Sequence, residues 1–398
     1  MIKVSFYFLL IFIFASCSNS ENLATISISE TTGLNRQLEY VTATVSFDRA
    51  LEKDEILILS DVESEASILV QELESVSNDG KFNYEILFPL EIGANQTKNY
   101  QVGVREKMRS SLPVQLVISE DKLSVENRYY RINFSMEDDK RGGQINGIEL
   151  KGFNNQTLKR GHIAMHWAPN FSKSDSEGYF NMEDFQAASK NLIEREAYRV
   201  IKERSGKTDS VPEINIEGRY EFYADLPYFQ FESTMTMTED VELDLLRNDE
   251  MTMDSLFTHL TFPRKDGTIQ HLKLYDELDV LEKNHIKADA EWVAFYHIEK
   301  GYGFGSIRLK YENSNLNGQI SPTHSPHTKI SRSKGNGRYW NRVLSDTIQG
   351  FPKGSRYYEK NAYLIFQVDN DQPEKELVYY QKCLKNPLVV AVTNNDLR

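Results

Sequence analysis

The chain has 398 residues and a formal net charge of −13, with 46 Lys and Arg against 59 Asp and Glu. That length suggests two to three domains, and a surface this acidic argues against nucleic acid as a partner. An anionic ligand would need a local basic pocket, and a chain this long can bury enough apolar surface for a core of its own.

In chain order, Lys3 precedes an apolar run from Val4 to Ala15, which is too short to span a bilayer as an ordinary helix. It ends in Phe14-Ala15-Ser16-Cys17, and small residues before a cysteine at this place resemble a bacterial lipobox. The resemblance implies a signal peptide over 1–16, lipidation of Cys17 and a polar tether over 17–24. An ordinary secretory signal cut near Ser16 is the alternative. With Cys17 lipidated, Cys383 is the one cysteine left and no intrachain disulfide forms.

Residues 25–125 carry short alternating segments separated by polar turns, among them Tyr40 to Phe47, Glu55 to Ser60, Phe82 to Phe88 and Lys98 to Val104. This spacing predicts an immunoglobulin-like β-sandwich in an accessory role. A charged stretch over 120–128 marks the boundary, and residues 126–398 are expected to form a larger antiparallel β-supersandwich. Gly161 to Phe171 reads as a strand, with Ile163, Met165 and Trp167 on an apolar face and His162 and His166 on a polar one. Met182 to Arg204 has Asn181 as a cap, Asp184 three residues on and an apolar stripe of Phe185, Leu192, Ile193, Ala197, Val200 and Ile201. That pattern predicts the one substantial helix.

Beyond it the chain is β again. Tyr228 to Thr238 alternates strictly, with Phe229, Phe231, Met235 and Met237 on one side and Gln230, Glu232, Thr234 and Thr236 on the other, as in a sheet with one wet face. Glu239 to Ser255 is acidic, with helical character near Asp254 to Leu260. Trp292 to Ile298 and Ser306 to Tyr311 flank a glycine-rich hairpin, Gly301-Tyr302-Gly303-Phe304-Gly305. Asn313 to Arg338 is a long polar stretch of the kind that is disordered or functional. Asn361 to Val368 and Leu388 to Val392 are late strands. No fixed-period repeat occurs, so a solenoid is excluded.

His162 and His166 are four residues apart, roughly 13 Å along a strand. They cannot share one metal without a bend, and no glutamate stands between them as in the helical zinc motif. His166, with Trp167 and Asn170 beside it, is the stronger candidate. His297 could converge with it from a neighbouring strand. The glycine-rich hairpin lacks the Lys-Ser/Thr and following helix of a phosphate loop, and its Tyr302 and Phe304 suit the wall of a sugar site instead. Arg332, Lys334, Arg338, Tyr339, Trp340 and Arg342, followed by Lys353, Arg356, Tyr357, Tyr358 and Lys360, form a basic and aromatic cluster in an acidic chain. Arginine grips carboxylates bidentately and aromatic rings pack on sugar faces, so the cluster fits an anionic glycan. Arg219, Tyr220 and Tyr223 form a smaller set, in which a cation could lower a tyrosine pKa for proton transfer. No nucleophile elbow, zinc-deaminase signature or dinucleotide fingerprint is present.

With Phe14-Ala15-Ser16-Cys17, the sandwich ahead of a larger β region, and the phrases Tyr220 to Phe229 and Trp292 to Gly303, the chain resembles surface lipoproteins of Bacteroidota that handle polysaccharide. Their β-supersandwich domains are of the galactose-mutarotase and polysaccharide-lyase type. A smaller class, oligosaccharide dehydratases acting on terminal uronic acids, is also similar. The resemblance implies β-elimination on a uronic-acid oligosaccharide. His166 and His297 would be acid and base with Tyr223 in reserve, and Arg338 and Arg356 would hold the carboxylate. Trp167, Tyr339 and Trp340 would form sugar platforms, with His162, Asn170, Arg219 and Tyr302 as further substrate contacts. No cofactor is expected, and a metal held by histidines is left open. The implied partners are an anionic glycan and, through the lipid anchor only, the outer membrane. A non-catalytic glycan-binding lipoprotein and a structural envelope protein are the rival readings.

Overall fold

The computed structural model describes residues 23–78, 80–106, 116–136, 142–159, 165–173, 178–185, 190–192, 198–253, 256–275, 286–332 and 337–394. The protein is mostly β, as expected, in several antiparallel sheets, with one α-helix among the described residues. Among the described residues no helix is long and apolar enough to cross a membrane. Cys17 and His162 lie outside the described residues.

Residues 24–106, with one strand from the C-terminal end, supply two sheets. One has the order Val389–Asn394, Ala24–Ser29, Thr97–Glu106, Glu55–Asp61, Ser67–Leu69, and the other Arg36–Phe47, Lys81–Ile92, Gln71–Asn78. Period-two alternation gives each an apolar face, and Ile26, Ile28, Leu59, Val102, Val45, Ile86 and Phe88 close a core between them. The last strand of the chain, Val389–Asn394, pairs along the whole length of the first, Ala24–Ser29.

The remainder is organised by a nine-stranded antiparallel sheet. Its order is Lys190–Leu192, Arg199–Thr208, Val211–Tyr223, Tyr228–Met237, Arg356–Gln367, Tyr302–Glu312, Trp292–His297, His259–Pro263, Ile269–Lys273. One face of this sheet, the inner face, carries Phe222, Phe229, Phe231, Phe304 and Tyr363. They share a core with Trp340 and Leu246 of a seven-stranded sheet and with Tyr130, Ile132 and Ile148 of a five-stranded one. The outer face has a second core where Leu377 and Tyr380 of the helix Lys375–Lys385 meet Tyr228, Trp292, Ile307 and Phe366.

Glycine makes that docking possible. A Cβ at Gly303 would run into the Phe366 ring, and one at Gly305 would sit 2.7 Å from Ala294 Cβ and 2.8 Å from Leu377. Only Gly301 of the trio has a positive φ, 72°. The hairpin thus needs one glycine for its turn and two for close packing.

Four expectations are corrected here. The helix over Met182 to Arg204 is absent where that segment is described. Its capping box forms, with Asn181 accepting from Glu183 N and Asp184 accepting from Asn181 N, but it starts only the 3-10 turn Met182–Asp184. Arg199–Thr208 is a strand paired with Val211–Tyr223, so a long cross-strand partner overrides the helical stripe. The helix stands instead at Lys375–Lys385, with Glu376 in its first turn and Lys382 and Lys385 in its last, matching the helix dipole. The polar-face reading of Gly161 to Phe171 also fails. In its described part His166 makes a single bridge to Met251, and both Met165 and His166 are wholly buried. The helical character expected near Asp254 to Leu260 gives way in its described part to the strand His259–Pro263, after the strand Val241–Met253, and the polar stretch 313–338 contains the strand His327–Arg332.

Candidate functional site

Two polar constellations stand out on the nine-stranded sheet, one on each face. On the outer face, alternation along Val211–Tyr223 presents Glu217, Arg219, Glu221 and Tyr223. Tyr228–Met237 adds Gln230, Glu232 and Thr234, and Arg356–Gln367 adds Tyr358 and Lys360. Register then brings Glu203, Arg219, Glu232 and Lys360 into one row across four strands. The Arg219 guanidinium lies 3.2 Å from Glu203, 2.8 Å from Glu221 and 4.0 Å from Glu232. Lys360 stands 3.7 Å from Glu232, and Arg199 3.8 Å from Glu221. The Tyr358 hydroxyl donates to Glu232 at 2.9 Å, and the Tyr223 hydroxyl to Glu221 at 2.6 Å.

Glu203, Arg219 and Glu232 of this row floor an open hollow of about 320 Å³. A neighbouring hollow of about 470 Å³ shares the same face, where Gln230 and Lys360 meet Tyr40, Tyr228 and Tyr379. Burial works to raise the Glu221 pKa, but Arg199, the Tyr223 hydroxyl and Arg219 together hold it below the usual carboxylate range. Glu221 is therefore ionised at neutral pH, an acceptor rather than a proton donor. Burial, and then Glu221, push Tyr223 well above the usual phenol range. Its proton stays on the hydroxyl, so the reserve role of Tyr223 as a base is not supported by its surroundings.

On the inner face lies a fully dehydrated hub. Asp249 is wholly buried at a register shift of its strand, with φ at 48°. Its carboxylate accepts from Ser306 Oγ at 2.8 Å, Arg308 Nε at 3.0 Å, Tyr311 at 3.2 Å, Trp340 Nε1 at 3.2 Å and Tyr363 at 3.3 Å. Glu359 stands next to it and accepts from Ser233 Oγ, from Asn361 Nδ2 and from the Asp249 N–H, each at 2.9 Å. Burial first, and then the Asp249 charge, raise the Glu359 pKa to about 7.

His166 adjoins this hub. The Tyr220 hydroxyl donates to Gln144 Oε1, so the 2.5 Å contact to His166 Nδ1 is read as Nδ1–H donating to Tyr220. Nε2 then faces the Tyr363 hydroxyl at 3.3 Å, and the ring stands edge-on to Phe231. Burial lowers the His166 pKa to about 3. It is a neutral core histidine bonded through Nδ1 to Tyr220, and the single Tyr363 hydroxyl proton lies between its Nε2 and Asp249 Oδ1, each at 3.3 Å.

The expected residues divide accordingly. Tyr223 and Arg219 share the outer face, both bonded to Glu221 rather than to each other, and Arg356 lies over the Tyr358 ring at 5.7 Å on that face. His297 does not join His166: it lies on its own hairpin, against Tyr302 and the Lys300 N–H. Tyr302 is buried, donating to Leu256 O at 3.1 Å. Trp340 is a core residue bonded to Asp249 rather than a platform, while Tyr339, half-buried on the same strand, alternates to its other side. Arg338 is buried beneath Tyr275, its guanidinium 4.5 Å from the ring centre. Asn170 is buried between Glu250 and Arg247, and half-buried Trp167 is held by Glu250 O. Among the described residues no group of three or more His, Cys, Asp or Glu is arranged to hold a metal ion.

Sequence reasoning missed Glu221, Glu232, Asp249 and Glu359. A signal existed for three of them. Glu221 and Glu232 share the wet parity of their strands with Arg219 and Gln230. Glu359 shares the buried parity of Tyr357 and Tyr363, an unusual place for a carboxylate.

No protein-family model matches the chain, and no curated protein matches it in sequence. Two solved structures from Enterococcus faecalis share its fold. A protein in glycosyl hydrolase family 38 aligns with 95% of this chain and 48% of its own, at 10% identity and a TM-score of 0.56. An α-mannosidase from strain V583 aligns with 94% of this chain and 46% of its own, at 9% identity and a TM-score of 0.57. The chain thus spans about half the length of these relatives in fold. The lyase or dehydratase expectation is overturned: the fold is shared with glycoside hydrolases, and the paired histidines on which β-elimination was to rest are apart, one of them sealed in the core.

Proposed function

We propose that the protein is carbohydrate-active in glycoside hydrolysis, and that its part is to hold a saccharide on the outer face of the nine-stranded sheet. The observation that carries this is the row of Glu203, Arg219 and Glu232 under an open hollow, continued by Lys360 into the neighbouring one. Fixed planar charges with a tyrosine beside them are the groups that bond sugar hydroxyls, and they need no reorganisation to do so. The fold shared with two glycoside hydrolases supports the same substrate class. Holding is favoured because the acids at the floor are already engaged, Glu203 and Glu232 by Arg219 and Glu232 also by the Tyr358 hydroxyl. The hub around Asp249 serves as the buried polar frame that fixes the strands beneath the hollow.

Two measurements on one sample test the proposal: calorimetric binding of a disaccharide panel, and release of nitrophenol from aryl glycosides. Saccharide binding that is weakened at least tenfold in Arg219→Ala supports the holding role. Hydrolysis lost in Glu232→Gln with binding retained would move that residue into catalysis. Neither binding nor hydrolysis would overturn the proposal.

A further inference from the structure

The charge pattern of the hollow bears on which saccharide it takes. Four of the cations around it, Arg199, Arg219, Lys310 and Lys360, are already paired with acids. Arg219 is shared among Glu203, Glu221 and Glu232, Lys360 is held by Glu232 and Arg199 by Glu221. At the Tyr358 end, Lys310 pairs with Glu312 at 3.0 Å, and Arg356 lies over the Tyr358 ring and adds to the positive field at Glu312. What lines the hollow beyond these cations is rich in acceptors and hydroxyls: Glu203, Glu217 and Glu232 with Ser205 and Thr234.

A carboxylate entering here would have to displace one of the existing partners of Arg219 and would face the remaining acids at close range. Hydroxyl groups meet no such cost. They donate to the carboxylate oxygens, which accept several bonds each, and accept from the guanidinium edges. Resting on the saccharide-holding reading above, we infer that the hollow selects neutral saccharides and rejects those bearing a uronic carboxylate. The three acids around Arg219 are the specificity-determining residues, acting by occupying the guanidinium at the floor of the hollow.

The test uses the whole protein and matched pairs of disaccharides built from mannose, galactose and glucose. Each neutral disaccharide is compared with the one in which C6 is oxidised to a carboxylate, by calorimetry at low salt. The expected result is at least one neutral disaccharide bound tenfold or more tightly than its uronate counterpart. In the near-isosteric Glu203→Gln, Glu232→Gln double variant, Arg219 is released from two acids. Uronate affinity should then rise about tenfold while neutral affinity falls or holds. Equal affinity within each pair, or preference for the uronate in the unaltered protein, would overturn the inference and leave the saccharide-holding reading standing. Failure of every disaccharide to bind would overturn both. A double variant that unfolds, seen by circular dichroism, is replaced by Glu232→Gln alone, with the same direction expected.

Discussion

Asp249 and Glu359 are two carboxylates sealed in the same apolar layer, and their surroundings treat them differently. Asp249 is met by five donors, including Arg308, whose buried guanidinium depends on it. Replacing it by Asn keeps a residue type that tolerates the left-handed backbone at φ 48° but leaves Arg308 uncompensated. Asp249→Asn is expected to lower unfolding stability by about 3–5 kcal/mol in urea titration. Glu359 has its pKa raised from 4.5 to about 7 by burial and by Asp249. Between those values the native state binds more protons than the unfolded chain, so stability falls as pH rises. The contribution is fully present below about pH 4.5 and lost as pH passes 7. The pH dependence amounts to about 3 kcal/mol at most, and Glu359→Gln should flatten the melting-temperature curve between pH 5 and 8. An unchanged curve in the variant would assign the dependence to another group.

Whole strands follow the alternation of the sequence closely where both neighbours are also long strands. Tyr228–Met237 buries every second residue along its length, as its pattern predicts. Met182 to Arg204 is the contrary case. Its stripe satisfies a helical period, but Val200, Lys202 and Arg204 alternate just as well with Ile201 and Glu203, and the ladder to Val211–Tyr223 decides the matter. The inner hub was illegible for a related reason. Asp249, Glu359 and His166 are far apart in sequence and meet only through register. The outer row was half legible: the parity of Glu232 and Arg219 was readable, their adjacency was not. The glycine hairpin shows how local chemistry acquires a packing role. Gly303→Ala would drive a methyl group into the Phe366 ring, an overpacking that should cost about 1–3 kcal/mol. The pair Gly303→Ala, Phe366→Leu should recover part of that loss in thermal melts, and failure to recover any would assign the cost to the backbone instead.

At the scale of the whole molecule, the N-terminal sandwich and the nine-stranded sheet are joined around one cation. Arg36 is buried, and its guanidinium reaches Glu30 at 3.2 Å, Glu39 at 3.0 Å, Cys383 O at 3.0 Å and Asn386 O at 2.6 Å. It therefore ties the end of the helix Lys375–Lys385 to the first sandwich. A second tie is the exchange of bonds between Gln71 and Arg199, at 3.0 and 2.8 Å. Arg36→Met keeps the apolar stem but removes the charge-assisted bonds. It should lower the melting temperature and make the chain near Asn386 the first site of limited proteolysis. Cleavage unchanged in rate and position would show that the sandwich and helix hold together without it. The wall of the second hollow, with Tyr40 and Tyr379 facing Tyr228, depends on this junction, so the same variant should also weaken binding of any saccharide that extends beyond Lys360.

The central claim is that saccharide sits on the outer face of the nine-stranded sheet. It is tested most directly by locating a neutral oligosaccharide in a crystal soaked with it. The expected result is sugar density above Arg219 and Glu232, with hydroxyls bonded to their charged groups and a ring near Tyr358. Density elsewhere, for instance in the larger cleft of about 970 Å³ between Phe262, Trp292 and Lys382, with the outer hollow empty, would contradict the account.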